Sequence, residues 1–159
     1  TIPEGIDLFM EPETLTMLEE LGIFRKKEME SFYVIRMESF VKNIEIEMSV
    51  LRDMIWEGIL PAISKQMILE SGSLSSVGDC GLEGTDEWKR HIARLAKAKI
   101  DLMEKTKELV EMKERMSKLN LRKHADALVD AAVQLMAEIR RIADSDDVDM
   151  SAATMAYQH

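Results

Sequence analysis

Residues 28–66 carry a long amphipathic pattern that contains one proline, Pro61, and no glycine before Gly58. Apolar residues recur there every three or four positions, at Tyr33, Met37, Phe40, Ile44, Met48, Leu51, Ile55 and Ile59. This spacing follows the turn of an α-helix and not the alternation of a strand. It predicts one long helix with a kink near residues 56–59, because proline lacks a backbone donor and clashes with the preceding turn.

The same helix has a second apolar row, which consists of Ile46, Val50 and Met54. We expect from the width of this apolar face that the helix contacts more than one neighbour. A shorter helix is predicted over residues 12–21, with Gly22 ending it, and Pro3 and Gly5 mark a lead-in before it.

Two further long helices follow. The first is predicted from Thr85, a good N-cap, and has apolar pairs every seven residues, beginning at Leu95–Ala96, Leu102–Met103 and Leu109–Val110. The second has a regular seam of Leu121, Ala125, Leu128, Ala132, Leu135, Ile139 and Ile142. Asn120 caps this last helix, or else the two helices run together through a bend.

Only 5% of the residues are aromatic and 13 are Met, a composition that favours helix over strand. The predicted fold class is all-α, an antiparallel up-and-down bundle of three long helices plus short helical pieces. We expect one domain over residues 1–147, with a flexible Ser/Gly loop at 71–84 and a disordered tail at 148–159.

The formal net charge of −9 argues against binding of nucleic acid or an anionic membrane surface. Cys80 is the only cysteine, so an internal disulfide is excluded and a reducing, cytoplasmic location is expected. No run of residues has the length and apolarity of a membrane span. Because the chain starts at Thr1 and not at Met, we expect that it was excised from a longer protein.

No catalytic motif is present. His91, His124 and His159 are too scattered for a di-iron site and are interpreted as surface residues. Glu38, Glu45 and Glu47 are interpreted as a hydrated helix face. We therefore predict no catalytic, cofactor-binding or metal-binding residue, and name as candidate partner contacts Tyr33, Phe40, Trp56 and Trp88.

The order of residues in the long helix resembles the C-terminal region of type III glutamine synthetases, which reads roughly E-L-x-S-R-Y, E-x-Y, I-x-I-E, I-x-P-A and Y-Q. The corresponding elements here are Glu28-Met29-Glu30-Ser31-Phe32-Tyr33, Glu38-Ser39-Phe40, Ile44-Glu45-Ile46-Glu47, Ile59-Leu60-Pro61-Ala62 and Lys65-Gln66. Later, His124-Ala125-Asp126-Ala127-Leu128 is similar to the family's alanine-aspartate-x-leucine segment. Phe32 replaces the usual arginine, Phe40 replaces a tyrosine, and the family's Trp/Pro-containing ending is missing.

This resemblance implies a parent enzyme that makes glutamine from glutamate and ammonia with ATP and Mg²⁺, with its active-site residues upstream of this chain. It implies that the chain is a non-catalytic domain that packs against the catalytic domain or a neighbouring subunit. Two alternatives stay open. One is a free-standing helical adaptor that binds a partner helix through an apolar groove, and the other is a small enzyme in which Arg36, Arg52 or Glu45 converge in the core.

Overall fold

The computed structural model describes residues 1–79, 84–145 and 148. Within those ranges the chain forms helices and turns and no strand, which confirms the prediction of an all-α fold. The α-helices are α1 (Ile2–Asp7), α2 (Pro12–Glu20), α3 (Lys26–Asp53), α4 (Leu60–Asp79), α5 (Asp86–Met116), α6 (Leu121–Ala127) and α7 (Val133–Ala143). A 3₁₀ turn (Leu8–Met10) follows α1, and π-helical segments join α3 to α4 (Met54–Ile59) and α6 to α7 (Leu128–Ala132). Helix therefore runs without a break over 26–79, 86–116 and 121–143.

The predicted interruption of the first long helix lies where Pro61 requires it. A continued α-helix would place the proline ring against the carbonyl of Glu57, four residues earlier. The chain instead adopts a π-helical turn over Met54–Ile59, and the N–H of Leu60 donates to Ile55 O, five residues back. One extra residue in the turn thus separates the ring from the carbonyl, so the kink expected from the sequence takes the form of a π-bulge.

The ends of the helices follow the capping signals. Gly22 has a φ of +66°, and the N–H groups of Gly22 and Ile23 donate to Glu19 O and Leu18 O, both at 3.0 Å. This pair of bonds is a Schellman motif and explains why α2 stops there. Asn120 Oδ1 accepts from the N–H of Lys123 at 3.0 Å, so Asn120 caps the last helical run and the bend alternative is excluded.

Three expectations about the ends and the loop differ from the structure. Residues 2–7 form α1 and not an irregular lead-in. Helix α4 continues to Asp79, so the loop expected over 71–84 is wrong for 71–79, and residues 80–83 lie outside the described ranges. The hydroxyls of Ser73 and Ser76 donate to the backbone carbonyls four residues earlier, Leu69 O and Gly72 O, so these serines are compatible with the helix. Val148, placed in the expected tail, is buried, and 149–159 are not among the described residues.

Contacts between Cα atoms divide the chain into two compact units. Unit 1 comprises Thr1–Met48 and Glu111–Gln134, and unit 2 comprises Ser49–Val110 and Leu135–His159. The core of unit 1 contains Ile6, Met29, Met37, Val41, Met48, Met116, Ala125, Leu128 and Ala132. The core of unit 2 contains Leu51, Ile55, Leu60, Ala62, Ile63, Leu95, Leu102, Leu109, Leu135, Ile139, Ala143 and Val148. The predicted heptad seams supply much of both cores.

The second apolar row is the clearest difference from the sequence interpretation. Ile46, Val50 and Met54 are each at least half exposed. This row is therefore not buried, although the helix does contact more than one neighbour, since Tyr33 donates to Asp7 of α1 and the Glu45 carbonyl accepts from Lys113 of α5. Of the main row the helix buries Met37, Met48, Leu51 and Ile55, and outside that row it buries Met29 and Val41.

Candidate functional site

The 3₁₀ turn after α1, helix α2 and the turn that follows α2 carry an unusual number of exposed apolar side chains. We call this the N-terminal surface and define it by Leu8, Phe9, Met17, Leu21, Ile23 and Phe24, all of which are exposed. Helix α2 buries none of its nine residues. A helix that contributes nothing fully buried to its own fold has an apolar side available for another molecule.

Aromatic rings anchor this surface to α3. The rings of Phe9 and Phe32 pack edge to face with centroids 5.4 Å apart, and Phe24 lies 6.4 Å from Phe32. The guanidinium of Arg36 lies 5.0 Å from the centroid of Phe32, within range of a cation–π interaction. Phe32, which stands where the resembling family has arginine, is thus the centre of an aromatic cluster. The cluster holds the N-terminal segment on α3 and leaves its outer side apolar.

A network of charges ties α1 to α3 and α6 within unit 1. The guanidinium of Arg122 donates to Asp7 Oδ2 at 2.8 and 3.0 Å and also pairs with Asp126. Tyr33 donates its hydroxyl to Asp7 Oδ1 at 3.0 Å. The pKa of Tyr33 is raised above its ordinary value, mainly because the phenol is buried and also because it donates a hydrogen bond to the Asp7 carboxylate. Tyr33, one of the candidate partner contacts, therefore has a partner inside the chain.

The other candidate partner contacts lie in different environments. Trp56, in the first π-helical segment, is 47% exposed. Phe40 and Trp88 are partly buried. Nothing in the structure tests whether any of the four contacts a partner, so that assignment stays a prediction, and Trp56 presents the most accessible ring.

Unit 1 contains a cavity of about 470 Å³ whose lining is partly polar. Its lining is formed by Glu38, Val41, Lys42, Glu45, Ser117, Leu119, Leu121 and His124. Lys42 Nζ donates to Glu45 Oε2 at 2.9 Å, and Lys113 Nζ donates to the Glu45 carbonyl at 3.1 Å. The Glu45 carboxylate raises the pKa of Lys42 by its hydrogen bond and its charge. The Glu45 carboxylate thus pairs with Lys42 within α3, and its backbone carbonyl links α3 to α5.

Two residues of this cavity differ from the sequence interpretation. His124 is 7% exposed and was expected at the surface. It follows Leu121 by three positions and precedes Leu128 by four, so it lies on the apolar side of the last helical run. The Glu45 side chain is only 14% exposed, whereas Glu38 and Glu47 are exposed as expected. His124 Nε2 lies 3.7 Å from Glu45 Oε1, beyond hydrogen-bond distance.

In unit 2, His91 is likewise partly buried and not a surface residue. Its Nε2 lies 3.1 Å from Glu70 Oε1, and the same oxygen accepts from Gln66 Nε2 at 2.6 Å. The late part of α4 thereby meets the early part of α5, as expected of consecutive antiparallel helices. His159 lies outside the described residues, as does Cys80.

The residues of the small-enzyme hypothesis do not form a buried site. Arg36 is exposed and lies over a phenylalanine ring, and Arg52 is exposed and pairs with its neighbour Asp53 at 2.6 Å. Among residues 1–79, 84–145 and 148, no three His, Cys, Asp or Glu side chains are grouped so as to hold a metal ion. Over the same ranges, no helix combines the length and apolarity needed to cross a bilayer.

Comparison with known proteins gives one match. Residues 1–72 match the family described as the glutamine synthetase C-terminal domain. Neither the curated proteins nor the solved structures contain a match to the chain. The matched region includes α1, α2, α3 and the first part of α4, and hence the whole N-terminal surface. Residues 1–72 are therefore similar to the C-terminal domain of glutamine synthetases.

Proposed function

We propose that this chain is a non-catalytic helical domain of a glutamine synthetase-like protein and that it serves packing and oligomer assembly. The match of residues 1–72 to the glutamine synthetase C-terminal domain carries this proposal. Glutamine formation from glutamate and ammonia, with ATP and Mg²⁺, is assigned to the parent protein, upstream of Thr1. The type III subfamily is proposed from the motifs of the long helix, and a cytoplasmic location from the single cysteine.

The exposed apolar side chains of the matched region support a packing role. Leu8, Phe9, Leu21, Ile23 and Phe24 are each more than 40% exposed and lie within a 17-residue stretch of sequence. Single exposed apolar residues are ordinary, but a contiguous group of this size is typical of an interaction surface. The catalytic domain of the parent protein and a neighbouring subunit are the proposed partners.

The polar groups of the chain also fit a structural role better than a catalytic one. Lys42 pairs with Glu45 and Arg122 with Asp126 within one helix, while Lys113 and Arg122 donate to Glu45 O and Asp7 of other helices. A general acid or base needs a reacting group within hydrogen-bond reach and a pKa adjusted toward the working pH. The described side chains with a shifted pKa are a tyrosine bound to an aspartate and members of ordinary Lys–Glu or terminal ion pairs.

The first test is an assay of glutamine formation by the purified chain with glutamate, ammonia, ATP and Mg²⁺. We expect no product, and turnover by the chain alone would contradict the proposal. The second test reads the natural coding sequence upstream of Thr1. An in-frame glutamine synthetase catalytic domain is expected, and a start codon shortly before Thr1 would argue against a parent enzyme.

The docking role is then tested in the full encoded protein. Leu8→Asp and Ile23→Asp are expected to change its oligomeric state, measured by light scattering after size-exclusion chromatography. Ile68→Asp is the matched control, because Ile68 is also a large, exposed apolar residue of the matched region but lies on α4. An equal effect of all three substitutions would show that the N-terminal surface has no special role.

A free-standing helical adaptor is the second candidate function. The exposed row of Ile46, Val50 and Met54 favours it, since an apolar row that the chain does not bury suits a partner helix. A natural gene that ends shortly before Thr1 supports the adaptor, and several hundred in-frame upstream residues would exclude it.

A further inference from the structure

Two segments of the helical sequence carry charges of opposite sign, a segregation that the proposed packing role does not by itself require. Residues 1–24 contain six acidic residues, Glu4, Asp7, Glu11, Glu13, Glu19 and Glu20, and no Lys, Arg or His. Residues 88–100, in the first half of α5, contain five Lys or Arg and no Asp or Glu. The chain therefore carries an acidic segment and a basic segment of similar charge.

The acidic segment has a defined outer face on α2. Pro12, Glu13, Thr16, Met17 and Glu20 line a shallow cleft of about 360 Å³. The carboxylates of Glu13 and Glu20 stand seven positions apart, about two helical turns, so both lie on the same side of α2. Met17 lies between them in sequence and is exposed. An apolar centre flanked by two carboxylates fits a surface that carries aliphatic and basic side chains together.

The basic segment has a matching outer face on α5. Lys89, Arg90, Ala93, Lys97 and Ile100 are all exposed and fall on one side of the helix. Arg90 pairs with Glu87 at 2.8 Å and Lys89 with Asp86 at 3.5 Å, both at the start of the helix. Because these pairs are solvent-exposed, they compete only weakly with a new partner. Ile100 supplies an apolar side chain that is 56% exposed.

From this complementarity we propose that the outer face of α2 in one copy of the chain docks onto the outer face of α5 in a second copy. The contact places Glu13 and Glu20 against Arg90 and Lys97, with Met17 and Ala93 between these pairs and Ile100 one turn beyond Lys97. It rests on the proposed packing function and gives the outer face of α2 a partner, a second copy of the chain. Because two different faces meet, repetition of the contact produces a two-fold dimer with two such contacts, a ring or an open chain of subunits.

The contact is small, which sets the expected affinity. Helix α2 has nine residues and is about 14 Å long at 1.5 Å per residue. An interface based on one such helix falls at or below the low end of specific protein–protein contacts, at about 1,200 Å² in total. Dissociation constants in the range of about 10 µM to 1 mM are therefore expected for the isolated chain.

The test is sedimentation equilibrium of the full 159-residue chain at several concentrations up to about 0.5 mM, a range that suits weak association. We expect association that depends on concentration and weakens as salt rises from about 0.05 to about 0.5 M, because salt screens exposed charges. E13K/E20K and, separately, R90E/K97E are expected to weaken the association by about tenfold or more. An equimolar mixture of these two variants is expected to associate again, because each then presents the charge that the other lacks.

Two controls keep the result interpretable. E30K/E47K changes the net charge by the same amount as E13K/E20K at exposed positions of α3, so it is expected to leave association within about twofold. The single substitution E20K is the control for misfolding, because the helix dipole favours a lysine at the C-terminal end of α2 and the helix should remain folded. Far-UV circular dichroism confirms that each variant is helical.

A monomeric wild-type chain at every concentration and salt would overturn the proposal. So would an E30K/E47K effect as large as that of E13K/E20K, or a mixture of the swapped variants that stays monomeric. None of these outcomes affects the proposed assembly domain, which depends on docking to the catalytic part of the parent. If the α2 variants remain bound to that part while self-association is absent, only the second-copy contact is refuted.

Discussion

Substitution of two nearby residues of α3 tests which apolar row forms the core. Met48 is 1% exposed and Ile46, two positions earlier, is 58% exposed. Met48→Ala removes a buried side chain and leaves a cavity in unit 1, for which substitutions of this type lose about 2–5 kcal/mol. Ile46→Ala removes an exposed side chain and introduces the best helix former, so we expect a change within about 0.5 kcal/mol of zero, of either sign.

Urea unfolding monitored at the helical circular dichroism band gives both free energies at 25 °C. For a chain of this size, a loss of about 3 kcal/mol corresponds to a fall in Tm of about 6–12 °C. The slope of the transition should be equal in the two variants, which shows that the unfolded reference is the same. If Ile46→Ala costs as much as Met48→Ala at a protein concentration where the chain is monomeric, the assignment of the exposed row is refuted.

Three further predictions concern unit composition, alkaline pH and a buried hydroxyl. The segment 1–72 alone is expected to be largely unfolded, because residues 111–134 supply Met116, Leu128 and other parts of the core of unit 1. Circular dichroism and the dispersion of amide proton shifts in NMR spectra measure this, and a cooperatively folded fragment would contradict it. Since folding raises the pKa of Tyr33, the folded state holds the phenol proton more tightly than the unfolded state does. The stability that this contributes is complete below the pKa of the unfolded state and is lost as pH rises through the pKa of the folded state. Asp7→Asn should reduce this alkaline loss of stability, and an unchanged ultraviolet titration of the phenol would contradict the assignment. Thr106 is fully buried in unit 2, and its hydroxyl has no hydrogen-bond partner among the described residues. Thr106→Val should therefore stabilise the chain by about 1 kcal/mol in the same urea assay. Destabilisation would show that the hydroxyl makes a hydrogen bond in the folded chain.

Periodicity and punctuation in the sequence were sufficient to locate most of the helices. The three-and-four spacing marks the long runs, and Gly22, Pro61 and Asn120 each act through their own backbone or side chain within one turn. Such signals are local, so they can be interpreted without knowledge of the fold. The Ser/Gly segment was misassigned because its serines can return their hydroxyl bonds to the helix as well as compete with it.

The candidate site was much less accessible from the sequence. The N-terminal surface consists of ordinary apolar residues, and no local signal distinguishes Leu21 or Phe24 from a core residue. Phe32 was noted only as a departure from the resembling family, whereas the structure shows it at the centre of three rings and a guanidinium. Trp56 was the one candidate contact whose exposure matches its proposed role.

The sequence alone determined that the chain is helical, where its long helices are interrupted, and which family its first part resembles. Each of these three properties depends on residues that are close together in the chain. Tertiary structure decided which apolar rows are covered. Met48 and Ile46 have similar hydrophobicity, and only the position of neighbouring helices buries one and exposes the other. The same neighbours bury His124 and bring Arg122 to Asp7 across more than one hundred residues. Burial depends on what lies beside a side chain in space, which residue spacing along one helix does not specify.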